Sequence, residues 1–564
     1  MTIRKRAAAA VLASLVCLGT LAGCGKTEEA EGMSLSVCVG AAPTTLDPIR
    51  ATQGREMTVL THLYENLLKL SVAADGSTTV TNGMAKSYEV EQNNDGTFTY
   101  TFHLRRAKWS DGEAVTARDF VYAYRRLANP SSQAPNARLL SPVKGFDEVQ
   151  STGDVSLLAV EAKNDSTFVV TLNGACEWFL TDVCTAAATV PLREDVVQEL
   201  KAASIAKNNE VAENGGIPTA TWSSDHTKLV CNGPFVVGES TIDGMVLETN
   251  PQYTGRLSGP ETITFRYADT AEEAWALYEA EEVDFVSPLP DAVLEQRKAE
   301  DEDWSAIPEL NTCTLLFNTN SELFSDPLAR QAFSLALDRT ALSDAAGGAN
   351  WPAVALVPYG VPDVEAEDFR GHGGDLIDCD PETYPDRCVQ AAELLDQAGY
   401  GESYRYPRLE CLYDADAGLR ETAEAMCAMW SAAIDITVTP RAMTAGELAA
   451  ALAAGEYTLS LTQLRGTVND AESFLAPFQS GDSRNMVGYV NSAFDTLLAV
   501  IGKANDDTAR RGCLHDAEVL LLGDCPLTPL YFTGTSCQLR PGLLGLCRDA
   551  RDFYSFAGVV EQAS

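Results

Sequence analysis

Histidine is scarce in this chain of 564 residues: His62, His103, His226, His372 and His515 are the full set, scattered among unrelated elements. No GxSxG elbow, HExxH pair, Walker A loop or GxGxxG fingerprint occurs, which removes the commonest hydrolase, metalloprotease, NTPase and dinucleotide-binding readings. Eighty acidic residues leave room for a paired-carboxylate hydrolase, although no pair stands out. There is no CxxC and no Cys–His cluster, so structural zinc is a weak reading. Positive charge is also in deficit, with 41 Lys and Arg against 80 Asp and Glu and a formal net charge of −39. Phosphate binding needs clustered cations, so nucleic acid is excluded as a partner, and so is a broad anionic membrane face. After the N-terminus no run has the length and apolarity of a spanning helix.

What is present is a folded composition, 45% hydrophobic, long enough for two or three domains. Arg4, Lys5 and Arg6 precede an apolar stretch, Ala7 to Leu21, and then Leu21-Ala22-Gly23-Cys24. This resembles a bacterial lipobox. The resemblance implies a signal peptide over 1–23, lipid on Cys24, a tether over 24–34, and an exported body anchored to the membrane. Of the 15 cysteines, 13 remain after Cys17 and Cys24 are set aside. That odd number cannot pair completely, but local disulfides Cys176/Cys184, Cys379/Cys388, Cys513/Cys525 and Cys537/Cys547 are plausible outside the cell.

The body mixes strands and helices without a strict βαβ repeat, giving a mixed α/β (α+β) class. Asn94-Asp95-Gly96 marks a hairpin, after which Phe98, Tyr100, Phe102 and Leu104 alternate with polar residues as a half-buried strand. Thr116 to Asp119 reads as a capping box for a helix carrying Phe120, Val121, Tyr124, Leu127 and Ala128 on one face, stopped by Asn129-Pro130. Another hairpin is expected at Asn164-Asp165. Asp326-Pro327 opens a helix with Leu328, Ala332 and Leu335 on one face. Val389, Ala392 and Leu395 give a further helix ending at Gly399. The charged stretch RRAKWSDGEAVTARDF (Arg105–Phe120) is thereby explained as strand, turn and capped helix. Gly371 to Asp386 is acid-rich but lacks EF-hand spacing, and reads as an exposed loop.

In order along the chain stand TTLDP (Thr44–Pro48), LYENLLKL (Leu63–Leu70), GMAKSYEV with FHLRRAKWSDGEAVTARDFVYAYRRLANP, NGPFVV (Asn232–Val237) and LETNPQY (Leu247–Tyr253). VDFV, LLFNTN, DPLARQAFSLALDR (Asp326–Arg339), AAELLDQAGY (Ala391–Tyr400) and ARRGCLHDAEVLLLGDCPLTPLYF (Ala509–Phe532) follow. From about Leu35 to Val560 the chain resembles the solute-binding proteins of peptide-type ABC transporters, the oligopeptide and dipeptide binding proteins. The resemblance implies a two-lobed periplasmic-binding-protein-like fold with a hinge near Asn311–Cys313 and Asp524–Thr528. It places the first lobe at 35–78, 206–311 and 527–564, an extra subdomain at 79–205, and the second lobe at 312–526. It implies no enzymatic activity and no cofactor. The partners implied are a peptide or other small solute, ABC permease subunits, and the membrane through the lipid, with the receptor acting as a monomer.

In that family an aspartate in the second lobe pairs with the ligand's α-ammonium. Aligned on Ser473-Phe474-Leu475, Thr467 stands in its place, Leu464 in that of a conserved tryptophan, and Asp470 on a second acid. A buried ammonium without a counter-charge costs several kcal/mol. Three readings stay open: Asp470 or Glu472 swings in, carboxylates elsewhere or water hold the terminus, or the ligand has no free α-amino group. Arg465 could face a ligand carboxylate. Backbone at Gln463, Arg465 and Thr467 would pair with the ligand like a strand, with Thr52 and Gln53 as the first lobe's edge. Rival functions are a receptor for a non-peptide or metal-chelate solute, an adhesin or signalling lipoprotein, and a secreted lipoprotein hydrolase.

Overall fold

The computed structural model describes residues 32–562 apart from 74–76, 215, 301–304, 365–367, 402 and 502–506. The signal peptide over 1–23 and Cys24 lie outside the described residues. Among the described residues no helix is long and apolar enough to cross a membrane.

Two strands of 13 residues, Ser305–Phe317 and Leu527–Leu539, pair antiparallel and carry one sheet through the whole molecule. On one side of this pair lie Leu459–Arg465, Leu409–Asp414 and Val438–Met443; on the other lie Phe285–Val286, Ser34–Cys38, Thr262–Arg266, Gly244–Thr249 and Phe235–Ser240. Trp351–Pro352 adds to the second long strand. The register of the pair breaks between Pro308 and Thr312, where the sheet passes from one half to the other. Separate hydrophobic cores form on the two sides. One gathers Leu35, Val37, Phe235 and Phe265; the other gathers Leu315, Phe333, Trp430 and Leu461. The fold is two-lobed.

A four-stranded antiparallel sheet, in the order Ala85–Gln92, Phe98–Leu104, Thr167–Leu172 and Val160–Asn164, belongs with the first lobe's core. Tyr100, Phe102 and Leu104 are buried as the period-two pattern requires, and the Asn164-Asp165 turn joins the last two strands. The capping box at Thr116 and Asp119 is present, and the helix Ala117–Ala128 buries Phe120, Tyr124, Leu127 and Ala128. Trp109 is fully buried, its indole N–H donating to Asp119 Oδ2 at 3.4 Å. The charges around it therefore serve packing and capping. Asp326 caps the helix Pro327–Leu335 through Leu328 N–H, with Pro327 at its first position, but the buried face is Ala329, Arg330, Ala332 and Phe333, and the expected Leu328 and Leu335 are only half-buried.

Two further expectations need correction. The helix Tyr384–Gln397 exists, but Val389 is 61% exposed, and the buried stripe is Arg387, Ala391 and Leu395. Arg387 occupies the inner face because its guanidinium donates to the Asp380 carbonyl and Thr383 hydroxyl, which shifts the apolar stripe round the helix. The local disulfides do not form: Cys176, Cys184, Cys379, Cys388, Cys513, Cys525 and Cys547 are all free thiols. Cys184 and Cys525 are buried in separate cores and pack as small apolar groups.

In the second lobe Arg370 and Glu518 form an ion pair with side chains 1% and 0% exposed, both carboxylate oxygens within 2.9 Å of Arg370 Nη1. Glu518 Oε1 also accepts from Leu356 and Val357 N–H. Removing one partner strands the other charge in the core. Glu518→Ala is expected to destabilise the protein by about 3–5 kcal/mol in denaturant unfolding. A loss below about 1 kcal/mol would show that the pair is not holding this corner together.

Candidate functional site

The strand Leu459–Arg465 emerges from the second lobe's core beside Ser305–Phe317, with Arg465 opposite Asn311 and Gln463 opposite Cys313. On its other edge the neighbour Leu409–Asp414 pairs only with Leu459 and Ser460. From Thr462 to Arg465 the strand therefore has a paired strand on one side only, among the described residues. An edge of this kind offers N–H and C=O groups to an extended ligand.

The loop after it is tightly built. Gly466 N–H donates to the Leu310 carbonyl, and a Cβ on Gly466 would stand 2.9 Å from the Phe474 ring, so glycine lets the chain lie against that ring. Ser473 Oγ accepts from Thr467 N–H at 2.7 Å and Val468 N–H at 3.3 Å, and lies 3.2 Å from the Thr467 hydroxyl. Thr467 is exposed. Asp470 is 1% exposed and takes two parallel bonds of 2.9 Å from Arg510, which also reaches Glu472 at 2.8 Å. Both acids that the sequence offers as substitute anchors are held by Arg510 in this conformation. The carboxyl of Glu472 is pushed up by burial against the pull of Arg510.

This loop touches the opposite lobe. Asn469 N–H donates to Asp182 Oδ1 at 2.7 Å, Val468 is buried in the first lobe's core, and Arg511 reaches Glu177 at 2.6 Å. The lobes are closed against one another here. Asp182 is pushed up by burial, with Arg551 pulling it back down.

Thr52 and Gln53 are exposed at the start of the helix Gly54–Leu63. Their N–H groups both donate to Glu56 Oε2, at 3.0 and 3.3 Å, so their part in any ligand contact falls to side chains and carbonyls. A Cβ on Gly54 would stand 1.7 Å from the Asp552 carbonyl oxygen; only glycine allows this contact. Asp552 connects the two edges. Its carboxyl is pushed up to about 7 by burial and then by Glu309, while Arg548 and Arg465 pull it down. Glu309 accepts from the Thr533 hydroxyl at 2.8 Å. Among the described residues, Arg548 Nε and Nη1 are buried without hydrogen-bond partners, and so are both amide atoms of Asn311. Carboxylates and guanidiniums thus meet where the long strands cross between lobes. Sequence reasoning did not find this group; its signal is the charge-dense run CRDARDF (Cys547–Phe553).

Two cavities of about 1240 and 690 Å³ open on the first lobe, and neither is lined by Gln53, Arg465 or Thr467. The histidines are less scattered than the sequence indicates, since His372 and His515 converge on Asp363 in the second lobe.

Two lobes are spanned by one sheet, with a half-open strand and a charged group at their junction. The family model described as bacterial extracellular solute-binding proteins, family 5 middle, matches residues 79–486, and the chain belongs to that family. Over 505 residues it is 28% identical to the probable deoxycholate-binding periplasmic protein YgiS of Escherichia coli K12, covering 88% of each chain. Over 499 residues it is 26% identical to the dipeptide-binding protein DppE of Bacillus subtilis 168, covering 87% of this chain and 85% of that one. The crystal structure of Haemophilus influenzae OppA in complex with RPPGFSPFR matches with a TM-score of 0.72 at 25% identity, over 94% of this chain and 99% of that one. Proteins of this kind are the binding components of transporters and not enzymes.

The raised carboxyl of Asp552 gives a pH signature. An unfolded carboxyl titrates near 4, whereas this one holds its proton to about 7 when folded. Its contribution to stability is full below pH ~4 and is lost as the pH rises through about 7. Asparagine keeps the shape, tolerates the φ of 64° at this position, and removes the charge. Melting temperatures of the protein and of Asp552→Asn should coincide near pH ~4 and separate near pH ~8, the variant melting several degrees higher. A separation that does not grow with pH would contradict the assignment.

Proposed function

We propose that the protein is the lipid-anchored receptor of an ABC importer, capturing oligopeptides between its lobes and delivering them to membrane permease subunits. The observation that carries this reading is the half-open strand edge at Thr462–Arg465, ending at a junction furnished with both signs of charge. A peptide presents backbone donors and acceptors along its length and opposite charges at its ends, and this edge supplies complements to all three. Gln463 and Arg465 contribute main chain, and Arg465 Nη2, which now donates to Gln463 Oε1 at 2.9 Å, is placed to turn to a ligand carboxylate. Asn311, buried opposite it with neither amide atom bonded among the described residues, adds a donor and an acceptor.

Thr467 supplies a hydroxyl where the family resemblance places an ammonium-binding aspartate. The acidic pair Glu309 and Asp552 is the replacement that the junction offers outside the grip of Arg510. Asp470 has a different part: it ties the loop to Arg510 and so shapes the edge. Thr52 and Gln53 close the site from the first lobe. Support for the peptide reading comes from relatives named as peptide-binding proteins and from the peptide in the structural relative. The lipid at Cys24, the permease partners and a monomeric state rest on the lipobox pattern and on the family resemblance.

A second reading is favoured by one feature. A neutral Thr467 two residues from Arg465 suits an anionic, non-peptide solute, and one relative is named for deoxycholate. Native mass spectrometry of the mature protein, purified without denaturation, separates the two. A ladder of short-peptide masses is expected, whereas one discrete non-peptide mass would overturn the peptide reading. Arg465→Ala is expected to weaken a peptide with a free carboxyl terminus roughly tenfold, and its amide less, by calorimetry. Equal losses for acid and amide would remove Arg465 from the carboxylate.

A further inference from the structure

Outside the cleft, one cluster of side chains has the composition and geometry of a metal site. Asp363 Oδ2 lies 3.0 Å from His372 Nδ1 and 2.9 Å from His515 Nε2. The three ligand atoms fall within 4.8 Å of one another. The Asp363 side chain is 0% exposed, that of His515 22% and that of His372 52%, so the carboxylate forms the floor and water reaches the cluster past His372.

The cluster is held in place by its surroundings. Asp363 Oδ1 accepts from Val364 N–H at 2.8 Å, which leaves Oδ2 to both imidazoles. His372 sits on the short helix Phe369–Gly373, and His515 on the helix Asp507–Asp524. The His515 ring is stacked on Phe369 at 3.9 Å with an interplanar angle of 8°. A Cβ on Gly373 would stand 2.8 Å from His515 Nδ1, so glycine allows the two elements to meet. Arg370, the nearby cation, is neutralised by Glu518 and does not compete for Asp363.

We propose that Asp363, His372 and His515 bind one zinc ion, with water from the His372 side completing the coordination. Two imidazoles and a carboxylate are a donor set for a borderline divalent cation and a poor one for calcium or magnesium, which prefer oxygen alone. Around zinc, with bonds of about 2.0–2.2 Å, tetrahedral ligand atoms stand about 3.3–3.6 Å apart. The two measured separations need to open by only a few tenths of an ångström. In the metal-free arrangement each imidazole donates an N–H to the same carboxylate oxygen. On binding, zinc takes the place of those two protons. In neutral rings the protons move to His372 Nε2 and His515 Nδ1; from cationic rings they pass to solvent.

The position gives the ion a task. Arg511, one helical turn before His515, donates to the Pro362 carbonyl at 2.6 Å and to Glu177 of the opposite lobe at 2.6 Å. Zinc would fasten the Pro362–Asp363 segment to the same helix, bracing the second-lobe side of the closure contact. The inference does not depend on which solute the cleft takes.

The test uses the mature protein stripped with a chelator and titrated with zinc chloride by calorimetry and thermal unfolding. One ion per chain and a zinc-dependent rise in melting temperature are expected. His372→Ala, a change at a half-exposed position that leaves the core intact, should weaken zinc at least tenfold and abolish the thermal shift, and His515→Ala should do the same. Zinc binding that both variants retain, or no stoichiometric zinc in the unsubstituted protein, would overturn the assignment.

Discussion

The antiparallel pair of Ser305–Phe317 with Leu527–Leu539 is the constraint on which the rest depends. Each strand begins in one lobe and ends in the other, so the hydrogen bonds that stabilise the sheet also fix where the lobes turn about one another. Register shifts between Pro308 and Thr312 and again between Cys313 and Thr314 interrupt that ladder where it crosses between the lobes, and the pairing is weakest there. Glu309, Asn311 and, through the next strand, Arg465 are carried at the break. The candidate site is thus positioned by backbone pairing, and its charges stand beside the irregular part of the sheet.

The loop from Gly466 to Glu472 shows how polar groups are buried without strain. Asp470 and Glu472 share the guanidinium of Arg510, and Ser473 takes two backbone donors. A charge removed from water has its partners within 3 Å. The same economy explains Trp109 and Asp119 in the first lobe, where one carboxylate serves the indole and the helix cap together. Dense charge in this protein marks structural joints as often as ligand contacts.

Local rules made much of the fold legible. Period-two alternation located Phe98–Leu104, and cap chemistry at Thr116 and Asp326 located two helix starts. The order of soft motifs pointed to the family. Where reading failed, a distant partner decided the outcome. The helix Tyr384–Gln397 turns its Val389 outward because Arg387 finds acceptors inside. Asp470 carries no sign in the sequence that Arg510, 40 residues away, will claim it. The same holds for the Glu177–Arg511 contact, across 334 residues, and for the meeting of His372 with His515. Cysteine spacing misled for a related reason: nearness along the chain says nothing about which core each thiol enters.

The contact of Asn469 with Asp182 has a consequence for selectivity. Backbone that leaves the half-open strand is, within a few residues, the backbone that clasps the other lobe. The Thr462–Arg465 end of the strand is therefore coupled directly to Val468 and Asn469, the residues seated against the first lobe. Strand edge and clasp are one short length of chain, and a displacement of either is felt by the other.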